Sequence, residues 1–357
     1  MSTSRELLRE LVAIDSTSSR SNAPIIDAIA AILKPAGFAL RRHEYLDDAG
    51  VPKVNLIATS GEGRPALALV GHSDCVPFDP AWDEALKLTE RDGKLFARGA
   101  ADTKSFIACA LHAATRTQLG TLKKPLALVF TADEEVGCVG AKHLVDEAIL
   151  SPELAIVGEP TALTPIRAHK GYALAEIEVR GKEGHSAYPA TGRPAILKAA
   201  QLLTRIEDLA RSLEKERDDD FDPPYTTLNV GLISGGKAKN IIPGLCRFTL
   251  EWRPIPGQPS ERVLDVVKAA ARSVSEEHDV EIVVNELRGD RGVDTPKDAR
   301  LVKFLEAESG KRAATVPFGT EAPQLTDMGA QAVVFGPGDI RVAHRTGEFV
   351  PMEDLDR

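Results

Sequence analysis

Two adjacent glutamates, Glu134 and Glu135, follow an apolar run at residues 126–130 in Thr131-Ala132-Asp133-Glu134-Glu135-Val136-Gly137. Side by side just past a buried strand, two carboxylates can divide labour. One can ligate a metal ion while the other moves protons for a metal-bound water. A solvated acidic turn is the plainer alternative. Other polar residues follow apolar runs in the same way. Gly71-His72-Ser73-Asp74 follows 66–70, and Gly158-Glu159-Pro160-Thr161 follows 154–157. Gly336-Pro337-Gly338, and then His344, follow 332–335, while Asp102 stands just before a helical stretch. Taken singly, each has an ordinary role. His72-x-Asp74 is a common triplet, Asp102 can cap its helix, Glu159 can be a turn carboxylate, and His344 an exposed loop histidine. In an open α/β sheet, however, the carboxyl ends of the strands form the binding crevice. Five segments then deliver two histidines and several carboxylates to one edge. Imidazole nitrogens and carboxylate oxygens without thiolates suit zinc, manganese or cobalt.

The elements that must position these residues are legible as patterns. Leu7, Leu8, Leu11 and Val12 fall on one helical face, and a second helix starts near Pro24 and stops at Gly37. Short apolar runs at 56–58, 66–70, 126–130, 154–157 and 332–335 lack clean alternation, as strands buried on both faces do. Helical stretches at 103–117, 140–150 and 299–309 lie between several of them. The pattern predicts a layered α/β domain with a mostly parallel sheet. The middle reads differently. An alternating run at 173–180, a helix after Pro194, strand-like runs at 226–233 and 247–253, a helix from Ser260 and a run at 280–284 follow in turn. That order, βαββαβ, is the ferredoxin-like split pattern. It predicts a discontinuous first domain over 1–171 and 286–357, interrupted by an inserted domain over 172–285. Glu214 to Asp220 reads as a solvated helix end and loop, and Gly235-Gly236-Lys237 as a turn, since its flanks lack phosphate-loop spacing.

Composition narrows the function classes. The chain has 357 residues, long enough for two domains. Its 43% hydrophobic and 27% charged residues are ordinary for a globular protein. A net charge of −9 argues against nucleic acid or an anionic membrane as partner. No apolar run approaches the roughly 18 residues of a membrane span, and the N-terminus carries no apolar signal core. Cys75, Cys109, Cys138 and Cys246 are scattered, without a CxxC pair, as in a reduced, cytoplasmic protein.

Four strings resemble the dinuclear-zinc amidohydrolases, the family of acetylornithine deacetylases, succinyl-diaminopimelate desuccinylases, aminoacylases and carboxypeptidase G-type enzymes. They are Gly71-His-Ser-Asp-Cys-Val-Pro77, Arg98-Gly-Ala-Ala-Asp-Thr-Lys104, Thr131-Ala-Asp-Glu-Glu-Val-Gly-Cys138 and Gly181-Lys-Glu-Gly-His-Ser-Ala-Tyr-Pro189. The resemblance runs in order along nearly the whole chain. Gly158-Glu-Pro-Thr161, Arg167-Ala-His-Lys-Gly171, Gly319-Thr-Glu-Ala322 and Phe335-Gly-Pro-Gly-Asp339 resemble the deacetylase branch most. The resemblance implies that His72, Asp102 and Glu159 hold one metal ion, and Asp102, Glu135 and His344 a second. Zinc is the expected metal and cobalt the substitute. Glu134 is then the general base, and Asp74 orients His72. A cis Asp102–Thr103 peptide is implied as well. The inserted domain is implied to be a lid and dimerisation domain whose His185 stabilises the oxyanion, reaching across from the partner subunit of a homodimer. Asn240 and Arg253 match substrate-holding residues there, Arg253 being suited to a carboxylate. Without the resemblance, His185 reads as a turn histidine and Arg253 as a surface residue at a strand end. The implied substrate is Nα-acetyl-L-ornithine. N-acetylcitrulline, succinyl-diaminopimelate and other N-acyl amino acids or dipeptides remain alternatives at this point. Relatives continue into a closing helix, of which Pro351-Met-Glu-Asp-Leu-Asp-Arg357 looks like the first turn.

Overall fold

The computed structural model describes residues 2–357, and Met1 of the N-terminal stretch lies outside them. Helices α1 (Ser4–Val12) and α2 (Ala23–Leu33) lead into β1 (Ala39–Leu46), β2 (Pro52–Thr59) and β3 (Leu67–His72). Next come α3 (Lys104–Arg116), β4 (Leu126–Thr131), α4 (Val139–Asp146) and β5 (Leu154–Val157). The middle of the chain forms β6 (Tyr172–Arg180), α5 (Ala195–Leu213), β7 (Thr227–Gly235), β8 (Leu245–Arg253), α6 (Glu261–His278) and β9 (Glu281–Asp290). Then follow α7 (Arg300–Ser309), α8 (Ala322–Asp327) and β10 (Gln331–Val334). The chain divides into two compact units. Residues up to Arg167, Thr295–Ala314 and Thr320–Arg357 make the first, and Ala168–Asp294 with Thr315–Gly319 the second.

In the second unit the strand order is β7-β8-β6-β9, with every pairing antiparallel. This is the ferredoxin-like arrangement expected from the element order. Alternation along β6 buries Ala173, Ala175, Ile177 and Val179 on one face. They pack with Ala199, Leu202 and Ile206 of α5 and Val263, Val267, Ala271 and Val274 of α6. Trp252 is enclosed there, and its indole N–H donates to the Ser260 carbonyl at 2.9 Å. A buried aromatic with a satisfied polar tip anchors both helix and sheet.

In the first unit the strand order is β1-β2-β4-β3-β5-β10, and beyond β10 Ile166 pairs antiparallel with Val334. β3 runs parallel to β4 and β5, and β10 parallel to β5. Ala68, Val70, Leu128, Val129, Phe130, Ala155 and Val157 are all buried. Such strands are covered on both faces, which is why their sequence does not alternate. The far edge differs from the expectation of a parallel sheet: β2 pairs antiparallel with β4, and β1 antiparallel with β2. No strand is legible at β1 in the sequence because Arg41, Arg42 and Glu44 are exposed on this edge. Charge on an edge strand discourages pairing with further chains. Helix α1 begins with a capping box in which Thr3 and Glu6 satisfy each other's backbone N–H groups. Its buried stripe of Leu7, Leu8, Leu11 and Val12 packs against α3. Each such side chain contributes about 1.5–3 kcal/mol.

The exit of β4 is clamped. Asn55 accepts the N–H of Ala132 at 2.9 Å and donates to the Gly140 carbonyl at 2.9 Å. A Cβ on Gly140 would lie 2.4 Å from the Ala132 carbonyl oxygen and 2.4 Å from Asn55 Oδ1. Neither backbone nor clamp can move without disturbing the residues that follow Ala132. Gly140→Ala is therefore expected to destabilise the protein by about 1–3 kcal/mol. Urea unfolding checks this, and an unchanged midpoint would show that the clamp yields freely.

Candidate metal centre

His72 ends β3, and β4, β5 and β10 run parallel to that strand. Their carboxyl ends therefore share one edge, where Glu134 and Glu135, Glu159 and the loop to His344 leave the sheet. Asp102 comes to the same place from the segment before α3, and its peptide bond to Thr103 is cis.

The Asp102 carboxylate stands between two imidazoles. Its Oδ1 lies 3.0 Å from His72 Nε2, and its Oδ2 3.0 Å from His344 Nε2. His344 Nε2 is also 3.0 Å from Glu135 Oε2. His72, Asp102 and Glu135 each present a ligand atom, all within 4.8 Å of one another. His72 is 1% exposed, Asp102 4% and Glu159 5%. Glu159 stands outside that trio, but its carboxyl feels the charges of Asp102 and Glu134. Glu134 is half-buried, with Oε1 3.5 Å from the Cys138 thiol.

Asp74 acts in two directions. Its backbone carbonyl is 3.0 Å from His72 Nδ1, which leaves Nε2 to face Asp102. Its carboxylate Oδ1 is 3.7 Å from His72 Nδ1, beyond a hydrogen bond. The carboxylate instead accepts the backbone N–H of Glu134 at 3.2 Å and of Glu135 at 3.4 Å, and the Ser18 hydroxyl at 2.8 Å. Asp74 thus fixes the imidazole through its carbonyl and the glutamate pair through its side chain.

Further supports had no signal in the sequence. Asp133, with a left-handed φ of 57°, is held by Lys53 Nζ at 2.7 Å and the Tyr45 hydroxyl at 2.9 Å. Glu348 accepts the N–H groups of Ala101 at 2.9 Å and Asp102 at 3.1 Å, and pairs with Arg98. Arg98 lies in a string that the resemblance marked. Glu348 and Lys53 stand outside every such string, in segments that show no periodic pattern.

The electrostatics fit cation binding. Burial pushes the Glu135 carboxyl up to about 7, and Asp102 adds to this against the hydrogen bond from His344. Hydrogen bonds to Asp102 and Glu135 lift His344 to about 10. Burial opposes the charge on His72, yet the hydrogen bond to Asp102 raises it well above the usual imidazole value. Burial likewise opposes charge on Asp102, and the two imidazoles hold its carboxyl below the ordinary value. Burial raises Glu159, with Asp102 and Glu134 acting in the same sense. Glu135 Oε1 is buried without a hydrogen-bond partner among the described residues. Protons thus hold together a set of nitrogen and oxygen donors that a divalent ion can hold instead.

His185, Asn240 and Arg253 all belong to the second unit. His185 and Asn240 are exposed, and the segments carrying them pair, with His185 opposite Ile241 and Ser186 N–H donating to the Asn240 carbonyl. Arg253 donates to Glu251 at 2.8 Å and lies over the Tyr172 ring at 4.7 Å.

The raised values of Glu135 and His344 fix the sign of a pH effect. Both groups carry protons near pH 6, and an incoming metal ion must release them, so binding tightens as pH rises. The rise in melting temperature caused by zinc is expected to be larger at pH 8 than at pH 6. Scanning calorimetry measures it, and an equal or smaller shift at pH 8 would rule out proton displacement.

The comparisons with known proteins agree with this geometry. The sequence pattern of peptidase family M20/M25/M40 matches residues 68–357. An acetylornithine deacetylase of Myxococcus xanthus is 60% identical, over 99% of this chain and 94% of its own length. One from Klebsiella pneumoniae is 38% identical, over 97% of this chain and 92% of its own. A tripeptidase from Staphylococcus aureus shares the fold with a TM-score of 0.78 at 23% identity, covering 99% of this chain and 94% of its own. An M20 family metallo-carboxypeptidase from Sulfolobus solfataricus does so with a TM-score of 0.77 at 18% identity, covering 99% and 96%. With a residue group that could hold a metal ion at the strand ends, and such relatives along almost its full length, this chain belongs to peptidase family M20/M25/M40.

Proposed function

We propose that the chain is a metal-dependent amidohydrolase that releases acetate from Nα-acetyl-L-ornithine to give L-ornithine, a step of arginine biosynthesis in the cytoplasm. The observation that carries this is the Asp102 carboxylate, with one oxygen on each of two histidines and Glu135 closing the set. His72, Asp102 and Glu159 would hold one divalent ion, and Asp102, Glu135 and His344 a second, zinc foremost and cobalt next. Such ions supply Lewis acidity and a water activated at neutral pH. The acetylornithine deacetylases at 60% and 38% identity support the choice of substrate.

The residues of the chain do the rest. Glu134 takes a proton from the attacking water and delivers it to the leaving amine. Asp74 keeps Glu134 in place through the backbone N–H it accepts. His185 donates to the oxyanion that develops on the acyl carbon. Asn240 and Arg253 hold the substrate, the guanidinium on its carboxylate.

The second unit supports a homodimer that shares its sites. The β6–β8 register runs from Arg180 opposite Leu245 to Ala173 opposite Trp252. Arg253 follows the second end, and the His185–Asn240 pairing lies beyond the first. Seven residue steps along a strand separate these ends by roughly 23 Å. That separation favours a reading in which a second copy supplies His185 and Asn240.

Three experiments test this reading. With zinc or cobalt, the protein is expected to release acetate from Nα-acetyl-L-ornithine at least tenfold faster, in kcat/KM, than succinate from succinyl-diaminopimelate (about 1.4 kcal/mol). Glu134→Gln is expected to keep its metal and lose most of kcat, while Glu135→Ala loses metal. A succinyl preference would overturn the substrate, and identical behaviour of the two variants would overturn their roles. Equal mixing of Glu134→Gln with His185→Ala, each inactive alone, is expected to restore about a quarter of parental activity, since half the dimers regain one intact site. A mixture as inactive as its components would refute shared sites.

A further inference from the structure

Glu321 has no role in the mechanism above, yet it is 1% exposed and neither carboxylate oxygen has a hydrogen-bond partner among the described residues. Gln324, 6% exposed and three residues on at the same helix face, also leaves its Oε1 without a partner. The Thr131 hydroxyl, 1% exposed at the end of β4, lies beside the Glu321 carboxyl but closes no hydrogen bond of normal length. The unpartnered atoms of all three side chains are oxygens. Buried polar atoms are nearly always paired, and a desolvated carboxylate above all.

This cluster belongs to the centre's surroundings. Burial pushes the Glu321 carboxyl up to about 8, and the charges that act on it are those of Glu134, His72 and Asp74. All these residues lie in the first unit. The negative charges of Glu134 and Asp74 disfavour an anion there and favour a cation, against the positive charge of His72. A compact cation with several hydrogen-bonding or coordinating directions is the complement of these unpartnered oxygens, whereas a guanidinium or a neutral alkyl group is not.

We propose that Glu321, Thr131 and Gln324 form a receptor for a compact cation, filled by the side-chain ammonium of the substrate. This rests on the deacetylase reading, in which the scissile amide sits at Glu134 and the substrate ends in a primary ammonium three methylenes from its α-carbon. Glu321 is then the specificity determinant, and the ammonium supplies the charge that the buried carboxylate lacks. An alkali ion has the same chemistry and is the other source of such a cation.

The test compares kcat/KM for Nα-acetyl-L-ornithine and N-acetyl-L-norleucine, which replaces the ammonium by a methyl group. Metal-loaded parent, Glu321→Gln and Thr131→Val are assayed in potassium chloride and in tetramethylammonium chloride. The parent is expected to favour ornithine by about a hundredfold or more, and Glu321→Gln to reduce that ratio to below about tenfold, mainly through KM. Thr131→Val, which removes only a hydroxyl, is expected to reduce the ratio several-fold, and it decides the matter if Glu321→Gln does not melt cooperatively. An unchanged ratio in both variants, with both substrates falling by one factor, would overturn the receptor. Activity that needs potassium in the parent but not in Glu321→Gln, with both substrates affected alike, would assign the receptor to an alkali ion. A parent that hydrolyses neither substrate refutes the deacetylase reading itself, whereas one that hydrolyses both equally refutes only the receptor.

Discussion

The centre depends on one carboxylate held between two imidazoles. Asp102 can face His72 and His344 together only if its backbone is fixed in depth and direction, because each contact is 3.0 Å long. Three attachments fix it. Glu348 takes the N–H groups of Ala101 and Asp102, and Arg98 holds Glu348 in turn. The Thr103 hydroxyl donates to the Gly158 carbonyl at 2.9 Å, which ties Asp102 to the segment carrying Glu159. The Lys104 ammonium, 0% exposed, donates to the Ile14 carbonyl at 2.9 Å behind α1. Segments near residues 14, 158 and 348 therefore meet around residues 98–104, and hydrogen bonding rather than apolar packing sets the position of the bridging oxygen atoms.

The glutamate pair is held by the same means. Lys53 is 1% exposed and pairs with Asp133, which is equally enclosed. Removing one partner of a buried pair costs about 3–5 kcal/mol, while replacing both by packed apolar groups is often neutral. Such pairs are weak as contributions to stability and strong as determinants of position. Asp133, Cys138 and His344 all have left-handed φ values, of 57°, 54° and 59°. Each costs a non-glycine residue roughly 1–2 kcal/mol. All three flank the centre, where the backbone must turn sharply to aim side chains back over the strand ends.

What could be read from the sequence follows from how each feature is encoded. His72, Glu134, Glu135 and Glu159 were legible because each follows a strand apolar on both faces, and a parallel sheet gathers such ends at one edge. The ferredoxin-like unit was legible because its strands and helices keep their periods. β1 was not, because an exposed edge strand has no core face to write in apolar residues. Lys53, Asn55, Tyr45 and Glu348 were not, because these partners lie between 77 and 250 residues away in the chain. A pattern in a local window carries no trace of such a contact. Glu321 lay within a quoted string, but only the structure shows that its carboxyl is enclosed without a partner.

The geometry also separates the two glutamates with which the chemistry began. A metal ligand must be charged when the ion arrives, so burial that favours its protonated form is offset by the ion itself. Glu135 meets that description: its Oε1 is enclosed and unpartnered, its Oε2 faces His344, and its carboxyl is raised to about 7. A proton carrier must instead exchange protons with a reacting group, which demands access. Glu134 lies beside the Cys138 thiol and takes no part in the Asp102–His344–Glu135 contacts. One carboxylate of Asp74 accepts both backbone N–H groups, so the two residues share a single anchor. Their difference therefore arises beyond the backbone, in what each carboxyl meets: the His344 imidazole for Glu135, and the Cys138 thiol for Glu134.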